Sequence, residues 1–298
     1  MLAAPLPALG DAEGQGVPEG LPPVVDAHTH LFPDGLFGAI WSWFDEHGWP
    51  VRYRLSAPAL VEFLRSRGVA HMVALHYAHR PGVALELNRH MATLCRELPG
   101  VTGLATVFPG EPGAAAILEE GFELGLAGVK LHAHVQCFDL DGEAVRPVYE
   151  CCAANGMPLL MHAGREPRSP AYNCDPYITC GADKVERVLR RYPRLRLCVP
   201  HLGADEFERY RRMIEDHDNL WLDTAMALAD YLPGAAPPPL AEYRADRVIY
   251  GTDFPNIPYA WDRELRRIVD AGLPGERLRL LLAKNATELF GLPELGER

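Results

Sequence analysis

From residue 24 onward the chain alternates short apolar or β-branched runs with segments whose apolar residues recur at helical spacing, which is the pattern of parallel βα units. The pattern predicts strands at 24–28, 69–75, 101–107, 127–132, 158–162, 195–200, 219–223 and 247–252. A helix is expected after each. From Asp183 to Tyr192, for instance, Val185, Val188, Leu189 and Tyr192 share one face behind an N-capping aspartate. Eight such pairs are the number that closes a (β/α)8 TIM barrel, an α/β fold that runs as one unit at roughly 250 residues. The seventh helix is expected to be incomplete, because Gly234 and the Pro237-Pro238-Pro239 run leave it little room.

Two loops are long. Residues 31–57, with Trp41, Trp43, Phe44 and Trp49, follow the first predicted strand, and residues 163–182 follow the fifth. In a barrel both overhang the site at the carboxyl ends of the strands, so both are lid candidates; the alternative is that the aromatics fill a packed excursion.

Length and composition narrow the class. The 298 residues can bury a sizeable core, and 48% hydrophobic with 23% charged residues is ordinary for a globular protein. No apolar stretch reaches the roughly 18 residues of a membrane helix, so no membrane partner is expected. A net charge of -11 disfavours nucleic acid, whose phosphates need a basic surface. Seven dispersed cysteines do not make a disulfide framework and fit a reducing cytoplasm. Residues 1–23 hold nine Pro or Gly and no Lys or Arg, and are expected to form a flexible extension to a single barrel domain at 24–298.

The chemistry starts at Val24-Val25-Asp26-Ala27-His28-Thr29-His30, an apolar strand ending in histidines at i and i+2. If the extended geometry persists, both side chains project to one side and can chelate one ion. Alone, this pair is weak evidence. It gains meaning from ionisable residues at other predicted strand ends: Lys130 and His132 on the fourth, His162 on the fifth, His201 on the sixth and Asp253 on the eighth. The rim of a barrel would bring these scattered positions together.

With these pieces in order, the chain from about residue 24 to 292 resembles the amidohydrolase superfamily. The resemblance is to its amidohydrolase-related group (amidohydrolase 2), near the branch of aminocarboxymuconate semialdehyde decarboxylase. The matching pieces are Val25-Asp26-Ala27-His28-Thr29-His30, Gly128-Val129-Lys130-Leu131-His132, Met161-His162-Ala163-Gly164, Pro200-His201-Leu202-Gly203, Tyr250-Gly251-Thr252-Asp253-Phe254-Pro255 and Lys284-Asn285-Ala286-Thr287-Glu288-Leu289-Phe290. The resemblance implies that His28, His30, His162 and Asp253 bind one divalent ion, zinc with manganese as the alternative. His201 would lie beside it, and Asp253 would take and return a proton. Asp253 has the simpler alternative of capping the turn after its strand.

Lys130 would be unmodified if one ion is held, or carboxylated to bridge two ions as in dinuclear members, with His201 then a ligand. It could also be only a cation at the barrel mouth. Lys130 and His132 are expected to face substrate, and Arg165 could hold a substrate carboxylate or remain a solvated loop residue. Among the other histidines only His76 falls near the rim. The resulting reading is a metal-dependent hydrolase of a C–N or C–O bond in a small amide, lactone or ester. The alternatives are a decarboxylase of an aromatic or dienoic acid and a barrel that binds without turnover. The absence of an obvious dimerisation insertion favours hydrolysis, and a homodimer is left open.

Overall fold

The computed structural model describes residues 9–231 and 236–296. Its eight parallel strands are β1 (Val25–His30), β2 (His71–Leu75), β3 (Val101–Gly103), β4 (Val129–His132), β5 (Leu159–His162), β6 (Leu197–Val199), β7 (Leu220–Asp223) and β8 (Val248–Ile249). They form two ladders, β1-β2-β3 and β4-β5-β6-β7-β8. Isolated parallel bridges join the ladders at both edges, Ala105 with Val129 and Thr29 with Phe254, so the wall of this TIM barrel is two sheets rather than one continuous ladder. Each strand overlaps a predicted window, and all but β1, which runs two residues past 28, lie wholly inside it.

Several strands end early because side chains take over their backbone groups. Beyond β3, Thr106 gives its N–H to Asn88 Oδ1 at 2.8 Å and its carbonyl accepts from Asn88 Nδ2 at 3.0 Å. Beyond β8, the N–H of Thr252 goes to Asp26 Oδ1 at 3.1 Å. A side-chain partner satisfies the polar group as well as a ladder would, and frees the chain to turn.

The first helices are α1 (Asp34–His47), α2 (Ala57–Ser66), α3 (Ala84–Glu97) and α4 (Ala114–Glu123). They are followed by α5 (Ala133–Gln136), α6 (Arg146–Asn155), α7 (Pro176–Thr179), α8 (Ala182–Arg191) and α9 (Phe207–Asp216). The set ends with α10 (Arg263–Asp270), α11 (Gly275–Arg279) and α12 (Asn285–Phe290). Asp183 lies inside the first turn of α8 rather than capping it; Gly181 holds the cap position. Among the described residues no α-helix lies between β7 and β8, only short 3-10 turns at Leu240–Glu242 and Ala245–Arg247, as the Pro run predicts. Gly234 is outside the described residues. No helix among them is long and apolar enough to cross a membrane, and all seven cysteines are free.

Strand β1 carries the decisive irregularity. Asp26 pairs with Met72, but Thr29 pairs with Ala74, so Ala27 and His28 together stand opposite the single residue Val73. Val73 and Leu75 belong to an apolar cluster that also holds Val25, Ala27, Leu160, Cys198, Trp221 and Ile249, which places it in the barrel interior. Met72 and Ala74 belong instead to the larger core beneath the helices. The extra residue therefore changes which phase of β1 points inward: Val25 and Ala27 below the bulge, His28 and His30 above it. Asp26, on the outer face, closes the bulge by accepting the N–H of His28 at 3.2 Å.

Of the expected N-terminal extension, residues 1–8 lie outside the described residues. Residues 11–17 are held to the barrel, for example by Val17 N–H to Arg67 O at 2.7 Å and Gly14 N–H to Asp262 Oδ2 at 3.0 Å.

The Asn88 bridge ties α3 to the loop that supports β4, since Thr106 Oγ1 also donates to Lys130 O at 2.9 Å. Asn88→Ala strands two buried backbone groups and is expected to cost about 2–3 kcal/mol. Urea denaturation reads that loss; an unchanged midpoint would mean that the bridge is dispensable.

Candidate metal centre

The interior face of the barrel is apolar in its lower layers and ionisable at the top. Lys130 is in register with Leu160, and His132 with His162. Asp223 occupies the same upper level of β7, in register with Ile249. Above β1, the bulge delivers His28 and His30, whose ring centroids are 5.2 Å apart. Asp253 arrives from the loop after β8 on a left-handed backbone (φ 67°), held by its N–H to His28 O at 2.8 Å. Gly251 allows this approach, because a Cβ there would stand 2.6 Å from His28 Cβ.

The geometry brings three of the expected ligands together. His30 Nε2 is 2.8 Å and His28 Nε2 is 3.4 Å from Asp253 Oδ1. The candidate ligand atoms of His28, His30 and Asp253 all lie within 4.8 Å of one another. His28 Nδ1 is 2.7 Å from Asp223 Oδ2 and donates to it, which leaves the Nε2 lone pair facing the lone pairs of Asp253 Oδ1. His28 Nε2 also lies 3.3 Å from Lys130 Nζ, and with His30 Nε2 and Asp253 Oδ1 it makes a set of two imidazole nitrogens and one carboxylate oxygen, the donor types that divalent ions take. The donor set therefore fits a divalent ion, with the carboxylate–histidine pair orienting the ligand from behind.

Asp223 is the residue that sequence reasoning missed. It is fully buried, and its second oxygen accepts the backbone N–H groups of His201 and Ala225 at 3.1 and 3.0 Å. Its signal in the sequence was an aspartate ending the predicted strand 219–223, the same signature that drew attention to Asp253.

His162 is at the same rim but outside that group of three. Its Nδ1 is 3.2 Å from His201 Nε2, and His201 Nδ1 is 2.7 Å from Ala225 O. A carbonyl only accepts, so His201 carries hydrogen on Nδ1; with one proton per ring, His162 then donates from Nδ1. That order leaves His162 Nε2 a bare lone pair, and it is buried without a hydrogen-bond partner. His132 stacks on His162 with centroids 4.1 Å apart, and His134 gives its Nε2 hydrogen to Gly164 O at 2.8 Å.

Lys130 does not reach the cavity. It is fully buried below the cluster, donates to His28 Nε2 at 3.3 Å, and is not among the residues that line the cavity. His76 is buried too, and also away from the cavity.

A cavity of about 250 Å³ opens over the cluster, with His30, His132, His162, His201 and Asp253 on its floor. The lid residues Trp43, Phe44 and Trp49 line it from α1 and the turn after, opposite Tyr172 and Tyr231. Trp41 instead stacks on Phe37 at 5.2 Å. Trp43 and Tyr172 stack at 5.3 Å, which joins the two predicted lids over the site. Arg165 is not there: its guanidinium pairs with Asp205 at 3.0 Å and with Glu206 at 3.5 Å, beside a different cavity. Arg168 is the arginine on the wall of the central cavity, and it is paired with Asp175 at 3.2 Å.

Burial governs the charge states. It pushes the imidazolium forms of His28, His30, His132 and His162 below their usual range, that of His134 to about 4 and that of His76 to about 3. It also lowers the Lys130 ammonium to about 8, against the pull of Asp253 and Asp223. Burial opposes ionisation of Asp253, yet the hydrogen bond from His30 holds its carboxyl below the usual carboxylate range. Neutral imidazoles beside an ionised carboxylate are the protonation states that metal binding requires.

The sequence matches the family model described as amidohydrolase over residues 25–292. No curated protein matches it. Among solved structures, an uncharacterised TIM-barrel protein from Bordetella bronchiseptica has 19% identity and a TM-score of 0.67, covering 90% of this chain and 98% of its own. A protein provisionally designated 2-pyrone-4,6-dicarboxylic acid hydrolase, from Pseudomonas putida, has 21% identity and a TM-score of 0.63, with coverages of 90% and 97%. A 5-carboxyvanillate decarboxylase from Novosphingobium aromaticivorans, complexed with manganese and a nitrobenzoic acid, has 17% identity and a TM-score of 0.63, with coverages of 94% and 100%.

Asp223→Asn removes the charge that orients His28 and is expected to weaken metal affinity about 10- to 100-fold. A chelator-competition titration measures it, and unchanged affinity would remove Asp223 from the centre. A second expectation concerns pH. In the metal-free protein, histidines that stay neutral when folded take up protons near pH 6.5 once unfolded, so their contribution to stability is lost as pH falls below about 6.5. Asp26, whose carboxyl burial raises to about 7, works in the opposite direction between about pH 4 and 7, as do Asp223 and Glu264. With His71 and His79, which burial also lowers, eight histidines outnumber these three carboxyls, so the melting temperature should fall from pH 7 to pH 5. Melts of chelator-treated protein that are flat or rise over this interval would contradict the balance.

Proposed function

We propose, from the premise that the chain belongs to the amidohydrolase family, that it is a metal-dependent hydrolase cleaving a C–N or C–O bond of a small amide, lactone or ester. The observation that carries this reading is the convergence of His28 Nε2, His30 Nε2 and Asp253 Oδ1 at the floor of a cavity. His28, His30, Asp253 and the bare nitrogen of His162 would hold one divalent ion, zinc or manganese. When bound, the ion supplies Lewis acidity towards the scissile carbonyl and towards water.

The chain's own groups supply the rest. Asp253 is kept ionised, stands at the cavity floor and accepts the proton of the attacking water, returning it to the leaving nitrogen or oxygen. His201, fixed through Nδ1 to Ala225 O and through Nε2 to His162 Nδ1, lines the same space and holds the His162 ring with its Nε2 free. Trp43, Phe44 and Tyr172 stack on a planar substrate and exclude bulk water. The seven free thiols fit a reducing cytoplasm.

Decarboxylation of a small aromatic acid is the second reading. It is favoured by the aromatic walls, by Arg168 as a carboxylate partner, and by likeness to the carboxyvanillate enzyme. Hydrolysis ranks first because Asp253 places a carboxylate on the cavity floor beside the two histidines, and Arg168 is already engaged by Asp175.

The test is elemental analysis of the purified protein followed by a panel of lactones, amides, esters and aromatic acids, with Asp253→Asn alongside. The expected result is about one equivalent of metal, hydrolysis without carbon dioxide release, and loss of about 10²–10⁴-fold in rate in the variant. Carbon dioxide as product would select the second reading. A protein that takes up no metal would overturn both.

A further inference from the structure

Asp253 sits on a backbone that a side-chain-bearing residue rarely adopts, tied by its N–H to His28 O of β1 and by its carbonyl accepting from Asn256 N–H at 3.0 Å. The following loop is held by His30 N–H to Phe254 O at 2.7 Å, Trp49 Nε1 to Asn256 O at 2.7 Å and Arg52 N–H to Ile257 O at 3.0 Å, and behind these lies the N-terminal segment 11–17. Glu13 is the centre of that contact. Its Oε2 accepts from Tyr53 Oη at 2.5 Å and from Arg52 at 3.2 Å, and its Oε1 accepts from Arg67 at 3.1 Å. Tyr53 Oη in turn accepts the N–H of Trp261 at 3.0 Å.

The same two partners lead to Phe254, the residue next to Asp253. The Tyr53 ring meets the Phe254 ring with centroids 4.8 Å apart. The Arg67 guanidinium lies 3.4 Å over the Phe63 ring, and Phe63 stacks on Phe254 at 5.4 Å. Phe254 itself is fully buried. The segment also grips the far end of the loop, through Ala260 N–H to Asp11 Oδ2 at 3.3 Å and Trp261 Nε1 to Gly14 O at 3.2 Å.

We infer that Glu13 is a positioning residue for Asp253: through Tyr53 and Arg67 it clamps the Phe63–Phe254 stack, and so fixes the backbone that aims the Asp253 carboxylate at His28 and His30. The inference rests on the reading of Asp253 as a metal ligand. Packed aromatic rings transmit a displacement of Tyr53 or Phe63 to Phe254, because a close-packed core has no slack to absorb it. Glu13 touches neither the cavity nor the cluster, and its effect therefore runs through Tyr53 and Arg67, with Arg52, whose N–H bonds Ile257 O at 3.0 Å, beside them.

The experiment uses the full chain and Mn²⁺ as probe, with free ion read by electron paramagnetic resonance. Glu13→Ala and Tyr53→Phe are expected to weaken Mn²⁺ affinity by about three- to thirtyfold. Glu13→Gln, which keeps the acceptor for Tyr53, should recover most of it. On any hydrolysed substrate, kcat should fall while KM stays close to wild type. Unchanged Mn²⁺ affinity in both variants overturns the inference, even if their melting temperatures drop, since that outcome marks a purely structural strap. Tyr53→Phe keeps the ring packing and decides the matter if Glu13→Ala does not fold. Failure of the wild-type protein to bind Mn²⁺ or Zn²⁺ is a different result: it fells the metal-dependent reading itself, and this inference with it.

Discussion

The extra residue in β1 is the constraint on which the centre depends. A regular strand ending in His30 opposite Leu75 would send Val25 to the outer face of the barrel, where apolar contact with the inner cluster is lost. By setting Ala27 and His28 against Val73, the bulge lets one short strand fill the apolar interior with its first half and present imidazoles to the rim with its second. A bulge also needs its unpaired backbone groups satisfied. Here Asp26 accepts from His28 N–H, and Tyr250 O and Phe254 O accept from Ala27 and His30 N–H at 2.9 and 2.7 Å. The irregularity in β1 thus becomes the seam with the β8 loop, which is where Asp253 enters.

The electrostatics follow from the same crowding. Desolvation drives the imidazoles neutral and would drive the carboxylates neutral as well, and the two outcomes are separated by what each group touches. Asp253 has histidine partners and stays ionised, whereas Asp26 is bonded mainly to Thr252 and rises to about 7. Asp223 is raised by burial, against the backbone N–H groups and Lys130 that favour its charge. The result is a rim rich in lone pairs with Lys130 as its buried cation, an arrangement that gains from a bound ion as metal sites generally do.

Much of this was legible before the fold. The alternation of strand and helix periods located all eight strands, and histidines or acids at their ends pointed to one rim, because in a parallel barrel every strand end faces the same way. That phase placed His28, His30 and Asp253 at the rim, the family resemblance made them ligands together with His162, and the structure draws the first three within 4.8 Å of one another. Arg165 and Lys130 show what such reasoning leaves open. Arg165 is three residues past β5, but the loop carries it outward to Asp205 and Glu206, and Arg168 takes the wall. Lys130 has the interior phase, yet it stands one level below His132 and is sealed under His28.

The sequence by itself determined the fold class, the strand windows and the chemical identity of the groups at the rim. These are set by local periodicity and by residue type, which need no knowledge of partners. Only the tertiary structure decided the bulge, the orienting role of Asp223 on His28, the tautomer order through His201 and His162, and the joining of the two lids by Trp43 and Tyr172. It also decided that residues 11–17, expected to extend freely, are bonded to the loop after Asp253. Each of these depends on pairs far apart in the chain, such as His28 with Asp223 or Glu13 with Tyr53 and Arg67, and no local pattern encodes which distant partner will satisfy a buried polar group.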